Sequence, residues 1–496
     1  SPSRARLPLR RPRVGRRSRG RHRGIGRDPA SSSTSSLSQS ALQAAQLREL
    51  QPPYDGFVTE ATASVRPPDA ARQRILIFLA LAVVVPGLLV RFSGAHPPHW
   101  IAALLFGFAI VGAAFMLAWA AEVVQLDISA GLALALLALV AVLPEYAVDF
   151  VFTWKAGASP SEAAHGLALA NMTGSNQLLI GVGWSAVVLL AAWRVKKLGP
   201  DGVKAVAPHH DGRPEVALDR SHSVELAFLA VATIYGLTLP LRHSLSIIDA
   251  VVLVSLFGGY VMRIARAPAE TPHLVGPALL IGSLTVRRRR QVVVLLFVVA
   301  AAIILACAEP FAESLVETGK EFNISEFLLV QWLAPLASEA PEFIVALLFA
   351  WRLNTNSALG SLVSSKVNQW TLLVGTLPIV YAISLGHLHG LPIVGRQREE
   401  LWVTAAQSAF ALAVLANRRL NTREGFMLLG LFVSQFALNG ILPSHLHAPG
   451  RIGVGVVYIT LAVFTVVRDR RAVPGLLRDG FLVPYSEFAK DDQAIA

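Results

Sequence analysis

Apolar and polar positions along this chain alternate on the scale of whole segments: runs of about 20 apolar residues, almost free of charge, are divided by short stretches that hold the lysines and arginines. A run of that length, wound as an α-helix at about 1.5 Å per residue, crosses a hydrocarbon layer of roughly 30 Å. The pattern predicts twelve spans, over 75–91, 100–123, 128–154, 165–193, 222–240, 244–264, 291–316, 324–351, 357–385, 399–417, 423–443 and 451–468. Cytoplasmic loops retain positive charge, so the loops with Arg194, Lys196, Lys197 and Lys204, with Arg263, Arg266 and Arg287–Arg290, and with Arg418, Arg419 and Arg423 are predicted inside. The segments Ser93–His99, Glu317–Asn323 and Ser444–Gly450 fall outside, and both termini are cytoplasmic.

Composition agrees: of 496 residues, 54% are hydrophobic and 15% charged, well below the charge of water-soluble domains. The net charge of +12 is concentrated in residues 1–30, with eleven arginines against Asp28 as the one acid. A serine-rich stretch, Ser31–Ser40, follows, and residues 1–70 read as a disordered Arg/Ser-rich cytoplasmic tail. Attraction to anionic lipid or RNA and a merely solvated leader both account for that tail, and no nucleic-acid partner is expected. The remaining divisions are a first transmembrane half over 75–264, a basic cytoplasmic linker over 265–290, a second half over 291–468 and a cytoplasmic tail over 469–496. The lone cysteine, Cys307, excludes an intrachain disulfide and a cysteine-based metal site. No phosphate-binding glycine loop or nucleophilic triad occurs, which disfavours an ATP-driven pump and an enzyme.

The chain repeats itself. At a shift of 197, Pro144, Glu145, Val148, Phe152 and Trp154 recur as Pro341, Glu342, Val345, Phe349 and Trp351. At a shift of 190, Ala168-Leu169-Ala170-Asn171-Met172-Thr173-Gly174-Ser175 matches Ala358-Leu359-Gly360-Ser361-Leu362-Val363-Ser364-Ser365. Upstream, Ala121-Glu122 answers Ala312-Glu313. The third span runs inside to outside and the eighth runs back, so the copies have opposite topology, the plan of many secondary transporters with a site where the copies meet. Proline in a span frees a backbone carbonyl, and an ionised carboxylate in a span needs a cation or proton. The twice-occurring Pro-Glu therefore marks Glu145 and Glu342 as candidate cation ligands; a protonated, hydrogen-bonded glutamate at a structural kink is the plain alternative.

These residues resemble the calcium:cation antiporter superfamily, the sodium/calcium exchangers and their relatives. The resemblance lies in Val142-Leu143-Pro144-Glu145 with Asn171–Asn176, and in Ser338-Glu339-Ala340-Pro341-Glu342 with Gly360–Gln369, and covers residues from about 100 to 443. It implies an all-α polytopic membrane protein of two inverted-topology five-helix repeats plus flanking helices, about twelve in all, with no cofactor beyond transported cations: sodium, calcium or protons. It carries ligand roles, including metal ligation, onto Glu145 and Glu342, and hydroxyl ligation onto Ser175, Ser365 and Ser338. Asn171 and Asn176 stand in its amide stretch.

The departures are specific. Ala141 and Val142 replace expected hydroxyls, Glu339 stands at a hydroxyl position, Lys366 at an asparagine position, and Gln369 at that of a second amide or acid. In the first repeat Leu179 falls at a liganding-amide position, for which Asn176 or Gln177 could substitute. Glu339 and Lys366 could cancel one another, and Lys366 either relays protons or forms a permanent salt bridge. Asp149, one turn beyond Glu145 on the same face, is a second ligand or a residue meeting outer water. Glu309, Glu313 and Glu317 share a face as a candidate acidic path, with Glu122 opposite Glu313 in the repeat, whereas His209, His210 and Asp211 read as a solvated loop.

The sequence thus points to a secondary antiporter in a lipid bilayer, the plasma membrane, exporting sodium or calcium in exchange for protons. Sodium/calcium exchange is the alternative, and a transport-inactive scaffold plugged by Glu339 and Lys366 the rival from another class. The oligomeric state is not legible.

Overall fold

The computed structural model describes residues 70–127, 143–159, 166–199, 215–267, 274–485, 487 and 488. The tail before residue 70, Ala141 and Val142, the first part of the third predicted span, and the loop with His209, His210 and Asp211 lie outside the described residues.

Helix dominates, as burial in lipid requires, because a helix satisfies its backbone groups within one segment. In chain order the helices are α1 (Ala70–Ser93), α2 (His99–Val124), α3 (Leu143–Ala158), α4 (Leu167–Leu178), α5 (Ser185–Leu198), α6 (Ser223–Gly236), α7 (Ile247–Ile264) and α8 (Pro277–Gly282). After them come α9 (Val286–Phe322), α10 (Glu326–Ser338), α11 (Ala340–Trp351), α12 (Thr355–Asn368), α13 (Val374–Leu385), α14 (Arg396–Leu415), α15 (Thr422–Ile441), α16 (His447–Arg468) and α17 (Ala472–Phe481). Each of the twelve predicted spans contains helix. Among the described residues, seven helical stretches are long and apolar enough on their own to cross a membrane, and the α10–α11 pair, bent by 56°, makes eight. The spans over 357–385, 399–417 and 423–443 are also helical, and the first two hold buried polar residues such as Lys366, Gln369 and Glu400.

In the second copy the break falls where the Pro-Glu pair predicts it. Pro341 sits in the first turn of α11, where its missing N–H costs nothing, and Glu339 is the joint between α10 and α11. Pro144 likewise opens α3. A feature invisible to periodicity is a π turn in each repeat, Leu179–Trp184 between α4 and α5 and Gln369–Leu373 between α12 and α13. The two begin 190 residues apart, the shift that aligns the second repeated block, so both copies are under-wound at the same point. Such turns insert an extra residue into the helix and re-aim the side chains around them.

Close helix crossings rest on glycine. A Cβ at Gly174 of α4 would run into the Gln331 carbonyl of α10, and one at Gly112 of α2 would meet the Ala80 carbonyl of α1 at 2.6 Å. Two short sheets tie loops of the two halves: Glu215–Ala217 (β1) pairs antiparallel with Arg419–Asn421 (β4), and Ser244–Leu245 (β2) with Leu391–Pro392 (β3). β1 and β4 lie in loops predicted inside, β2 and β3 in loops predicted outside, so each sheet joins loops of one side. On the side predicted inside, Arg289 grips Asp127 through two bonds of 2.7 and 2.8 Å, which holds the Asp127 carboxyl below its ordinary value. The C-terminal α17 is docked there too, with Asp479 bonded to Arg220 and Arg418.

Candidate functional site

The two repeats meet at the side chain of Gln369, the first residue of the second π turn. Its amide donates to Glu339 Oε1 at 2.7 Å and to Glu145 Oε2 at 3.3 Å, so one amide links the acid of α3 to the acid at the α10–α11 joint. All three side chains are buried, at 1–3% exposure. Their other oxygens, Glu145 Oε1, Glu339 Oε2 and Gln369 Oε1, have no hydrogen-bond partner among the described residues. Buried polar atoms are normally satisfied, because leaving one unpaired costs about 1–3 kcal/mol. Three free oxygens around one amide, two of them carboxylate, make a hard-donor cradle of the sort that suits an alkali or alkaline-earth cation.

Lys366, three residues before Gln369 and one turn back along the helix, is fully buried. Its ammonium donates to Asn176 Oδ1 at 2.6 Å and to the Asn176 carbonyl at 3.1 Å, and lies 5.0 Å from the Trp370 ring centroid. The expected Glu339–Lys366 pair is therefore not formed: Glu339 is held by Gln369, and Lys366 is held across the repeat boundary by Asn176. Asn176 spends its oxygen on the lysine and its Nδ2 on the Met172 carbonyl, 2.8 Å away.

One turn beyond Glu145, Asp149 accepts from Asn171 Nδ2 at 2.8 Å. Ser175 is buried with its Oγ unpartnered among the described residues, and Glu342 is half-buried with Oε2 in the same condition. Ser338 bonds back to the Ala334 and Pro335 carbonyls at 3.2 and 3.3 Å, and Ser365 is half-buried. The structure thus joins Glu145, Glu339 and Gln369 in one set, Lys366 and Asn176 in another, and Asp149 and Asn171 in a third. Among the described residues no hydrogen bond ties Glu342, Ser338 or Ser365 to these sets, whereas the Ser175 hydroxyl lies against the Glu145 and Glu339 carboxylates. Among the described residues, too, no three His, Cys, Asp or Glu side chains gather as a metal cluster. The donors at hand are instead mixed carboxylate, amide and hydroxyl.

Gln177 does not substitute for the missing amide. It turns toward α14, donating to Thr404 Oγ1 at 2.7 Å and Glu400 Oε2 at 3.3 Å and accepting from Gln435 at 2.7 Å. Gln331 also donates to Glu400 Oε2, at 2.8 Å. This second buried network, clamping α4, α10, α14 and α15, escaped the sequence reading. Its signal was present: Glu400, Thr404, Gln407 and Ser408 lie on one face of an otherwise apolar span.

The proposed acidic path is divided. Glu313 pairs with Lys155 and Glu317 with Lys320, each at 2.7 Å, and Glu122 accepts from the Val275 amide at 3.0 Å. Glu309 lines a cavity of about 580 Å³ together with Tyr146, Asp149, Trp154 and Lys155.

The family model for sodium/calcium exchanger proteins matches residues 98–265 and 292–439, more than half of the chain. Among solved structures, the chain is similar to that of the H+/Ca2+ exchanger CAX, with 38% identity and a TM-score of 0.75, over 85% of this chain and 100% of that one. Native YfkE is similar at the level of fold, with 14% identity and a TM-score of 0.51, over 78% of this chain and 100% of that one. The selenium-substituted Ca2+/H+ antiporter protein YfkE gives 15% and 0.51, over the same shares. No curated protein matches.

Proposed function

The chain belongs to the sodium/calcium exchanger protein family, and from that premise we propose that it is an antiporter that moves calcium across its membrane in exchange for protons. It is an integral membrane protein of a family that handles inorganic cations. Calcium and protons are the ions of the H+/Ca2+ exchanger CAX, with which this chain is 38% identical over the whole length of that protein. The observation that carries the reading is the Gln369 amide, which holds Glu145 of one repeat and Glu339 of the other with a free oxygen on each.

Charge counting supports the pairing of ions. Fully ionised, Glu145, Glu339 and Glu342 carry three negative charges against one positive on Lys366, a balance of two negative charges. One calcium ion or two protons neutralise that balance equally, and a buried centre must be near neutral to move through a low-dielectric interior. Mutual exclusion follows: carboxylates that hold calcium cannot hold protons, and the empty, charged centre resists reorientation, so one ion leaves as the other enters. The inverted repeats supply the two faces between which the centre alternates. Glu145, Glu339, Glu342 and Gln369 are the ligands in this reading, with Ser175 as a hydroxyl donor and Lys366 as a fixed counter-charge. Asn176 anchors that lysine. We read the membrane as the plasma membrane and both termini as cytoplasmic, from the basic loops.

The test is calcium uptake by purified protein in sealed vesicles, recorded together with internal pH. A pH gradient should drive uptake, calcium should evoke proton movement in return, and Glu145→Gln or Glu342→Gln should reduce both to the level of empty vesicles. Uptake that follows a sodium gradient while internal pH stays constant would overturn the proton coupling.

A further inference from the structure

We infer that the turn joining α16 to α17 binds the headgroup of an anionic phospholipid, held by Arg470 and Arg471 where the last span meets the side predicted inside. The inference stands apart from the transport reading and from the centre at Glu145.

The observation is a cavity of about 500 Å³ lined by Asn417, Val467 and residues 468–472. Its three arginines are not equivalent. Arg468 is engaged, pairing with Asp469 at 2.7 Å and with Glu424 at 3.2 Å. Arg470 and Arg471 are exposed and make no ion pair among the described residues. The three arginines against Asp469 leave the lining positive, and counting Glu424 as well still leaves one positive charge. A phosphodiester carries one negative charge and neutralises it. Its oxygens also suit the planar guanidinium fork, which can donate to two of them at once. Asn417 spends its Oδ1 on the Arg419 amide at 2.9 Å, so its Nδ2 is the donor that side chain keeps for a ligand.

Charge alone suits any anion; the apolar surroundings select a lipid. The last two turns of α16 expose Val463, Phe464, Val466 and Val467, a surface that hydrocarbon covers more favourably than water does. Val467 belongs both to that surface and to the cavity wall. An acyl chain lying along α16 therefore brings its phosphate to the arginines.

The helix after the turn supplies an independent sign of depth. α17 runs from the turn to the start of α6, where a Cβ at Gly480 would meet Ala227 and the Ser223 carbonyl. It buries Leu476, Asp479 and Gly480 against the protein and exposes Leu477, Arg478 and Phe481, which share a face at spacings of three and four. Leu482, just beyond, is 77% exposed. Apolar side chains with an arginine among them on the outward face are what a helix lying in the membrane interface presents. The turn with Arg470 and Arg471, at the start of that helix, then sits at the level of the headgroups.

The experiment is native mass spectrometry of the purified full chain in detergent, titrated with phosphatidylglycerol or with phosphatidylcholine of the same acyl chains. Three proteins are compared: the native chain, Arg470→Gln with Arg471→Gln, and Arg287→Gln with Arg288→Gln. The last is a charge-matched control at the start of α9, on the same predicted side, and all four arginines are exposed, so neither variant disturbs a core. The Arg-rich tail is common to all three. Affinity for phosphatidylglycerol should fall about tenfold in the Arg470/Arg471 variant and stay native in the control, with phosphatidylcholine binding alike in all three. An equal fall in both variants overturns the inference, because it reduces the effect to net charge, and so does native affinity in the Arg470/Arg471 variant. Soluble glycerol phosphate, which has the headgroup phosphate without acyl chains, should leave the bound lipid in place; displacement would give the cavity to a free anion and overturn the lipid assignment.

Discussion

Lys366 of the second repeat is bound to Asn176 of the first, with its ammonium 2.6 Å from the asparagine Oδ1 and 3.1 Å from its carbonyl. A buried ammonium has lost its water and needs acceptors. Here one residue supplies both, on a helix that must move relative to its partner if the repeats alternate. The lysine is thus a charge parked beside the acids without being locked to them.

Asn176→Leu removes one acceptor and leaves the ammonium short. The cost should be roughly 2–3 kcal/mol, the range for hydrogen bonds to charged groups. Lys366→Met with Asn176→Leu should cost less than the sum of the single changes, because the methionine needs no acceptor. Thermal unfolding in detergent reads all three variants. Additive losses would mean that the lysine finds its acceptors elsewhere.

Gln369→Leu keeps the bulk of the side chain and deletes the donor shared by Glu145 and Glu339. The two carboxylates are then held apart only by backbone. Calcium-driven proton flux in vesicles should fall about tenfold or more, equivalent to loss of one charge-assisted bond of about 1.4 kcal/mol or more. Because the lost bond orients ligands, the apparent calcium KM should rise as well. A variant with native KM and native turnover would remove Gln369 from the site.

Much of this was legible beforehand. Helix in each predicted span follows from hydropathy, and the second Pro-Glu pair located the bend between α10 and α11, because proline acts locally and leaves its mark in the sequence. Glu145, Glu339 and Gln369 were identified as site candidates, but their grouping was not, since it depends on the π turn at Gln369–Leu373 that re-aims the glutamine. A π turn has no residue signature of its own. Pairing Lys366 with Glu339 was a plausible reading of opposite charges 27 positions apart; geometry gave the lysine to Asn176, 190 positions away. The Gln177–Glu400 network was missed because glutamine in a span was treated as a possible ligand and not as a structural clamp.

Gly174 offers a test of helix approach. A Cβ there would collide with the Gln331 carbonyl, backbone that cannot swing aside, so α4 and α10 must separate for any larger residue. Gln331 also donates to Glu400, and that bond should loosen with it. Gly174→Val should therefore destabilise the fold by about 1–3 kcal/mol, the usual cost of overpacking, and abolish exchange. Gly174→Ala should do less of each. Native melting and native flux in Gly174→Val would show that the two helices are not in this contact in the working protein.

The cap formed by α17 should be released by acid, and the sign is fixed by Asp479. Its carboxylate accepts from Arg220 through two bonds of 2.7 Å and from Arg418 at 3.3 Å. The Arg220 bonds hold its carboxyl below the ordinary value of 3.8, burial working in the opposite direction. A carboxyl depressed on folding contributes its stability above the unfolded value and loses it as pH falls through the folded one, so docking of α17 should be intact at neutral pH and fail below about pH 4. Cys307 is the sole cysteine of the chain and is buried, so a nitroxide can be placed at the exposed Leu477 by Leu477→Cys in a Cys307→Ala background. Its spectrum should be that of an ordered helix at pH 7 and of a mobile segment below about pH 4, and Asp479→Asn should give the mobile spectrum already at pH 7. An ordered spectrum in Asp479→Asn at every pH would show that apolar contacts alone hold the cap, Gly480 against Ala227 foremost among them.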